Sequence, residues 1–439
     1  MPDHATIEIY RDGRWRPAAT LTPEKPPQGY RGRADFEYRI DYAVDYAGPE
    51  RAAAAGLSCR YPVDFDLHRD PHWPAFVLDI LPTGFGRRQW LEHLELADGP
   101  NADWPLLLHG TAFPPGNLRV AEAVAAKRLD TQVPTATGDL VPMHDHPGFA
   151  REAVIARSEA FVEYAFQHGI YAAGGSDVQG VAPKLLLTQD RDGAWHAEGR
   201  LPDAAVAAHW LVKRPRGSTA ADRKVLTNEA GYMRVAGALG LRVYGELTCE
   251  NDCLFIPRFD RILQDGVLQR LGMESLASLA NVAEYGARIP HDILCQAIIG
   301  HCSEPASDLL EYIKRDILNV VMGNKDNHAR NTVVLRYEDG SVALSPMFDF
   351  APMYLDPEGI ARVCRWDGNA EEGGVPNWAV VVERYRDHLE DPVPALRDFG
   401  QQIERLPELM RECGVDEDII EHQARSIEQH AGALMRLEG

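Results

Sequence analysis

The pattern of apolar and polar positions changes character along the chain. Near the start, Thr6-Ile7-Glu8-Ile9-Tyr10 alternates with a period of two, Arg11-Asp12-Gly13 reads as a turn, and Phe36-Glu37-Tyr38-Arg39-Ile40 alternates again. Residues 80–90 read as a helix opened by Pro82 and Gly84, and residues 113–118 lead back into a strand. Residues 129–148 are polar and proline-rich and read as a linker. One amphipathic helix is expected over residues 151–167, with Val154, Phe161, Val162 and Ala165 on one side. After a glycine-punctuated loop at 174–180, strands are expected at 185–188, 207–213, 242–247 and 253–259, with a helix over 226–239 ended by Gly240. From about residue 263 the pattern is mostly helical. Leu310, Ile313, Ile317, Val320 and Val321 recur at helical spacing up to a stop at Gly323. One hairpin interrupts, residues 332–337 and 341–345 around Glu338-Asp339-Gly340.

A strand-rich first part and a helical second part give an α+β, two-lobed plan with the ligand cleft between the lobes. The expected divisions are 1–130, 131–262 and 263–439. With 45% hydrophobic and 25% charged residues over 439 positions, the chain has ordinary globular composition and the length for two or three domains. A formal net charge of −21 argues against a broad nucleic-acid-binding surface. Residues 1–15 do not read as a signal peptide, and no apolar run is long enough to span a membrane, so a cytoplasmic location is expected. The seven cysteines are scattered and read as reduced thiols; Cys249 and Cys253 lack a second ligand pair for zinc. His144-Asp145-His146, beside Pro147 and Gly148, reads as a solvated loop rather than a metal site.

The chemistry concentrates in Gly323-Asn324-Lys325-Asp326-Asn327-His328-Ala329-Arg330-Asn331 and, beyond the hairpin, Met347-Phe348-Asp349. An antiparallel hairpin brings its open ends together, so Asn331 and Asp349, which flank those ends, can offer oxygens to one hard cation. An Asp, an Asn five residues on and a second Asp past a hairpin is the spacing with which protein kinases orient a hydroxyl and hold Mg²⁺. A polar helix–strand loop with solvated side chains accounts for the same residues.

Lys213 ends an apolar strand, and Glu229 shares the apolar face of the next helix, four residues before Met233. A carboxylate facing a core needs a cation, so the two are expected to pair, as the strand lysine and helix glutamate of kinases do. The loop from Gly174 through Gly180 to Lys184 has the glycines of a phosphate cradle but follows neither the P-loop nor the dinucleotide pattern; a flexible hairpin loop fits equally. In Phe255-Ile256-Pro257-Arg258-Phe259-Asp260-Arg261, the Pro257 carbonyl and the Phe259 N–H suit an adenine-binding hinge, and Asp260 suits a ribose hydroxyl. A buried connector with an Arg–Asp pair is the other reading.

Six segments, in this order, resemble the HipA-type serine/threonine kinases, toxins of bacterial type II toxin–antitoxin systems. They are Ile80 to Arg87, Pro115-Gly116-Asn117-Leu118-Arg119-Val120, Ser176 to Lys184, Arg258-Phe259-Asp260-Arg261, Asn324-x-Asp326-x-His328-x-x-Asn331 and Pro346-x-x-Asp349. The resemblance implies a protein-kinase-like fold with an extra N-terminal subdomain. It implies Asp326 as the catalytic Asp, Asn331 and Asp349 as Mg²⁺ ligands, Lys213 on the ATP phosphates and Ser176 as a regulatory autophosphorylated serine. His328 is expected to support the loop by hydrogen bonds. The implied partners are a protein substrate, an aminoacyl-tRNA synthetase for some members, and a small DNA-binding antitoxin, with no direct nucleic-acid binding by this chain. The sequence departs from the pattern in a loop one residue longer around Ser176 and in Pro257, where an acidic residue is common. A small-molecule phosphotransferase on the same scaffold and a non-enzymatic, antitoxin-bound co-repressor are the competing functions.

Overall fold

The computed structural model describes residues 2–127, 132–169, 182–264 and 267–438. Three hydrophobic cores organise them. The first is built on a five-stranded antiparallel sheet with Ala5–Arg11 and Arg14–Pro23 at its centre, flanked by Ala34–Tyr38 and Leu67–Asp70 on one side and Leu118–Val120 on the other. The period-two expectation holds: in Ala34–Tyr38, Ala34, Phe36 and Tyr38 are buried and the residues between them exposed. Trp73, Trp90 and Trp104 fill the space between this sheet and its helices.

The second core lies under another five-stranded antiparallel sheet, in the order Thr248–Glu250, Cys253–Pro257, Val206–Lys213, Lys184–Asp190 and Trp195–Ala197. The expected single helix over 151–167 is two, Arg151–Ala156 and Glu159–His168. Arg157 turns left-handed (φ 50°), and Ser158 caps the second helix by accepting from the Phe161 N–H. Val162 is exposed. The expected linker is packed rather than free: Gln132–Pro134 pairs with Leu140–Pro142, and Val133 and Met143 enter the core. Of His144-Asp145-His146 only the first two are solvated; His146 is buried and stacks on Phe149 at 4.6 Å.

The third core joins the helix Ala220–Ala238 to a helical lobe. That lobe contains His291–His301, Pro305–Val321, Pro392–Glu404 and Glu417–Met435, with a three-stranded sheet of Gly272–Ser275, Val333–Arg336 and Val342–Leu344. Ile313, Ile317 and Val321 are fully buried as expected, while Leu310 and Val320 pack at the core's margin. Gly323 ends the helix region at φ +71°, where a Cβ would run into Gln423 and Tyr354.

No strand forms at 242–247. The Arg242 N–H donates to Glu311 Oε1 at 3.0 Å and its carbonyl accepts from the Met347 N–H at 2.7 Å, so the segment is tied to the helical lobe instead of to a sheet. Among the described residues no helix is long and apolar enough to cross a membrane.

Candidate active site

The cleft between the second sheet and the helical lobe is lined by Leu186, Leu211, Ile256, Met273 and Met347, with Lys184, Lys213, Glu229 and Asp349 at one end. Apolar walls with a few convergent charges are what a flat aromatic base and its phosphates require. The Pro257 carbonyl and Phe259 N–H belong to residues on the rim, and the Phe259 ring meets Phe348 at 5.7 Å.

Lys213 closes its strand as expected, buried, with Nζ 2.6 Å from Glu229 Oε2 and 2.5 Å from Asp349 Oδ1. Lys184 Nζ reaches the other Asp349 oxygen at 3.1 Å. Burial works against the Lys213 ammonium, but the Asp349 and Glu229 carboxylates overcome it and hold its pKa above the ordinary lysine value. Burial likewise opposes the Asp349 carboxylate, and Lys184 and Lys213 overcome it, so this group stays ionised far below the usual range. Glu229, the most enclosed of the set, is pushed up by burial, and its Oε1 has no hydrogen-bond partner. Asp349 adopts φ +54°, a left-handed conformation that Asp tolerates better than most residues.

The loop after Gly323 is shaped by its asparagines. Asn324 Oδ1 accepts from the Asp326 N–H at 3.3 Å, and Asn331 Nδ2 donates to the Asp326 carbonyl at 2.9 Å. Asn327 clamps a distant segment: its Oδ1 accepts from the Val363 and Cys364 N–H groups, and its Nδ2 donates to the Cys364 carbonyl. The Asp326 backbone is therefore held by its neighbours, and its side chain keeps 16% of its surface exposed. It borders two openings: a small cavity of about 60 Å³ shared with Lys184, Lys213 and Asp349, and a groove of about 600 Å³ on the other side. His328 does not brace the loop as expected. Among the described residues neither ring nitrogen has a hydrogen-bond partner, and Nε2 only approaches Asp326 Oδ1 at 3.5 Å.

Among the described residues no cluster of three His, Cys, Asp or Glu side chains forms a metal cage. The donor set instead fits a Mg²⁺ that takes most ligands from phosphate and water. Asn331 Oδ1 is buried with no hydrogen-bond partner among the described residues, an acceptor that a cation would suit, and Asp349 is an ionised carboxylate.

Asp260 is not placed to bind ribose. It is buried, and its oxygens already accept from Arg258 Nε (3.0 Å) and Nη2 (2.6 Å), Arg261 Nη1 (2.7 Å) and the Gly116 N–H (2.7 Å). Four donors use the capacity of a carboxylate. Arg258 holds its pKa far below the carboxylate range against the cost of burial. Ser176 and Gly180 lie outside the described residues.

Asn327, Arg330 and Asp79 also belong to the site. The first two lie in the loop 323–331, where their spacing assigns them no role; Asp79 stands one residue before the Ile80 segment with no signal of its own. Its carboxylate receives Arg330 Nη1 and Ser275 across the boundary between the first core and the third.

A family profile described as the HipA-like C-terminal domain matches residues 176–431. A Sinorhizobium fredii protein named as a kinase, Y4mE, is 28% identical over 236 residues, covering 48% of this chain and 53% of that one, so the chain spans about half the length of this relative. Among solved structures, HipA of Shewanella oneidensis MR-1, in a toxin–antitoxin complex with HipB and operator DNA, superposes with a TM-score of 0.65 at 16% identity, covering 98% of this chain and 97% of that one. The overall fold is shared with it; at this identity the likeness speaks to the fold alone.

Proposed function

The chain belongs to the HipA-like C-terminal domain family, and from that premise we propose that it is an ATP- and Mg²⁺-dependent serine/threonine protein kinase. The observation that carries this reading is Lys213, held between Glu229 on its helix and Asp349 at the cleft floor, with Asp326 lining the same small cavity. Strand lysine, helix carboxylate and metal-binding Asp are the parts that protein kinases assemble for phosphoryl transfer.

In this reading the adenine lies between Leu186, Leu211, Ile256, Met273 and Met347, with the Pro257 carbonyl and Phe259 N–H at its polar edge. Lys213 and Lys184 turn from Asp349 toward the phosphates, which replace the carboxylate as their counter-charge. Asn331 Oδ1 and the Asp349 carboxylate would hold Mg²⁺, which when bound would neutralise charge on the phosphates. Asp326 orients the attacking hydroxyl and receives its proton. The open groove beyond Asp326 supports a protein substrate over a small molecule, because it gives an extended segment a way to bring its hydroxyl to that carboxylate.

The activity of a toxin restrained by a small antitoxin, and autophosphorylation at Ser176, belong to the same proposal; the HipA structure with HipB supports the former. The test is incubation of the purified chain with labelled ATP and Mg²⁺, with and without lysate. Labelled protein bands, and mass spectrometry placing phosphate on Ser176, are expected. ATP consumption that labels only small molecules would favour the phosphotransferase, and no consumption at all the co-repressor.

A further inference from the structure

Resting on that kinase reading, we propose that Asp79, a residue of the first core, is a positioning residue for phosphoryl transfer: its carboxylate holds Arg330 and thereby the turn that carries Asn331. Asp79 sits on the short helix Val77–Ile80, and its carboxylate does three things at once. It accepts from Arg330 Nη1, from the Ser275 hydroxyl at 2.7 Å and from the Ser275 N–H at 2.9 Å. Arg330 Nη1 also lies 3.3 Å from the Ser275 hydroxyl, which makes a closed triangle of two side chains and one carboxylate. The pair is well shielded, with side-chain exposures of 14% for Asp79 and 5% for Arg330, so the attraction is little weakened by solvent.

The two residues joined to Asp79 are placed to transmit its hold. Arg330 is the middle residue of the one-turn helix Ala329–Asn331, whose Asn331 N–H donates to the His328 carbonyl at 2.9 Å. The next residue, Asn331, closes on the Asp326 carbonyl and presents the orphaned Oδ1 described above. Ser275 ends the strand Gly272–Ser275, which pairs with Val333 just past the turn. Its hydroxyl caps the helix Leu276–Leu279 by accepting from the Ser278 N–H at 3.1 Å. The carboxylate therefore ties the turn, through Arg330, to the end of the strand that pairs with Val333 just beyond it. Asp79, Ser275 and Arg330 all line the nucleotide cleft. The first core reaches the cleft at a second point too, where Gly116 binds Asp260 and Arg261 through its N–H and carbonyl. This unit is part of the frame of the site.

A purely structural contact would lower stability and leave the folded enzyme's turnover intact. A positioning contact lowers turnover itself, because a displacement of about 1 Å in a catalytic group costs up to about 100-fold in rate. The experiment measures ADP release from ATP–Mg²⁺, with melting temperatures in parallel, for wild type, Asp79→Asn, Asp79→Glu, Arg330→Lys and the Asp79→Asn/Arg330→Lys double variant. Asp79→Asn is expected to lower kcat by about 10-fold or more while KM for ATP stays within about threefold. Asp79→Glu is expected to recover part of the loss, and the double variant to be little worse than either single one. If Asp79→Asn does not fold, Arg330→Lys reads the same contact, since it keeps the charge and loses the fork. An active wild type whose Asp79→Asn and Arg330→Lys variants keep kcat within about twofold overturns this assignment alone. A wild type that neither binds ATP–Mg²⁺ nor releases ADP refutes the kinase reading and the assignment with it.

Discussion

The Lys213 ammonium stands 2.5 Å from an Asp349 oxygen and 2.6 Å from a Glu229 oxygen, so one cation joins two carboxylates from different elements, the buried Glu229 and an Asp349 that it shares with Lys184. Removing it takes the ion-pair partner from Glu229 and leaves Asp349 with Lys184 alone. Lys213→Met is expected to cost about 3–5 kcal/mol, because breaking a buried pair leaves uncompensated charge. It is also expected to abolish the rise in melting temperature that saturating nucleotide gives the wild type. Thermal unfolding with and without ATP–Mg²⁺ checks both effects. A variant with wild-type stability would show that Glu229 and Asp349 do not depend on Lys213.

Asp326 makes the opposite case. Its carboxylate is approached by His328 Nε2 at 3.5 Å, while its backbone is fixed by Asn324 and Asn331. Asp326→Ala therefore removes no buried partner. Phosphoryl transfer is expected to fall by about 10²–10⁴-fold while melting temperature and ATP–Mg²⁺ affinity stay near wild type. Radiolabel transfer beside calorimetric nucleotide titration measures the two separately. Collapse of the fold would make this a structural residue.

For the metal, Asp349→Asn keeps the shape of the side chain and removes the charge. Mg²⁺-dependent ATP binding is expected to weaken by about 10-fold or more, and binding in EDTA by much less. Asn331→Ala should act in the same direction, since it deletes the orphaned Oδ1. Equal losses with and without Mg²⁺ in both variants would remove these residues from the metal site.

What the sequence makes legible here is local spacing. The loop at 323–331, the hairpin after it and the Lys213–Glu229 pair follow from helical and strand periods within single elements and their neighbours. The alternation in Ala34–Tyr38 and the stop at Gly323 are read the same way. What fails is whatever depends on a partner far along the chain. Residues 242–247 look like a strand, but Glu311 takes the Arg242 N–H that a sheet would have used. Of the two readings of Asp260, the buried connector paired with its neighbouring arginines is the one that forms; only the Gly116 N–H, 144 residues earlier, lies beyond the local pattern. Asp79 and Arg330 meet across 251 residues, and nothing in either local pattern announces it. The break after residue 156 was the more readable miss, since Ser158 is a good cap residue.

The buried charges at the hinge set a pH dependence. Glu198 is 4% exposed, 3.0 Å from Arg258 Nη1 and 3.0 Å from His209 Nδ1. Burial alone would raise its pKa, but Arg258, with His209 and Arg261, pushes it down to about 2 from an ordinary 4.5. A carboxylate depressed in the folded state adds stability above its unfolded pKa and loses it as pH falls through the folded one. The contribution is about 3 kcal/mol near pH 5 and falls to about half by pH 3. Glu198→Gln keeps the volume and deletes the titration. Denaturant unfolding of both proteins from pH 6 to pH 3 is expected to show the variant less stable by a gap that narrows with acidity. A gap that stays constant over this range would mean that the Glu198 charge is not what holds Arg258 and the hinge in place.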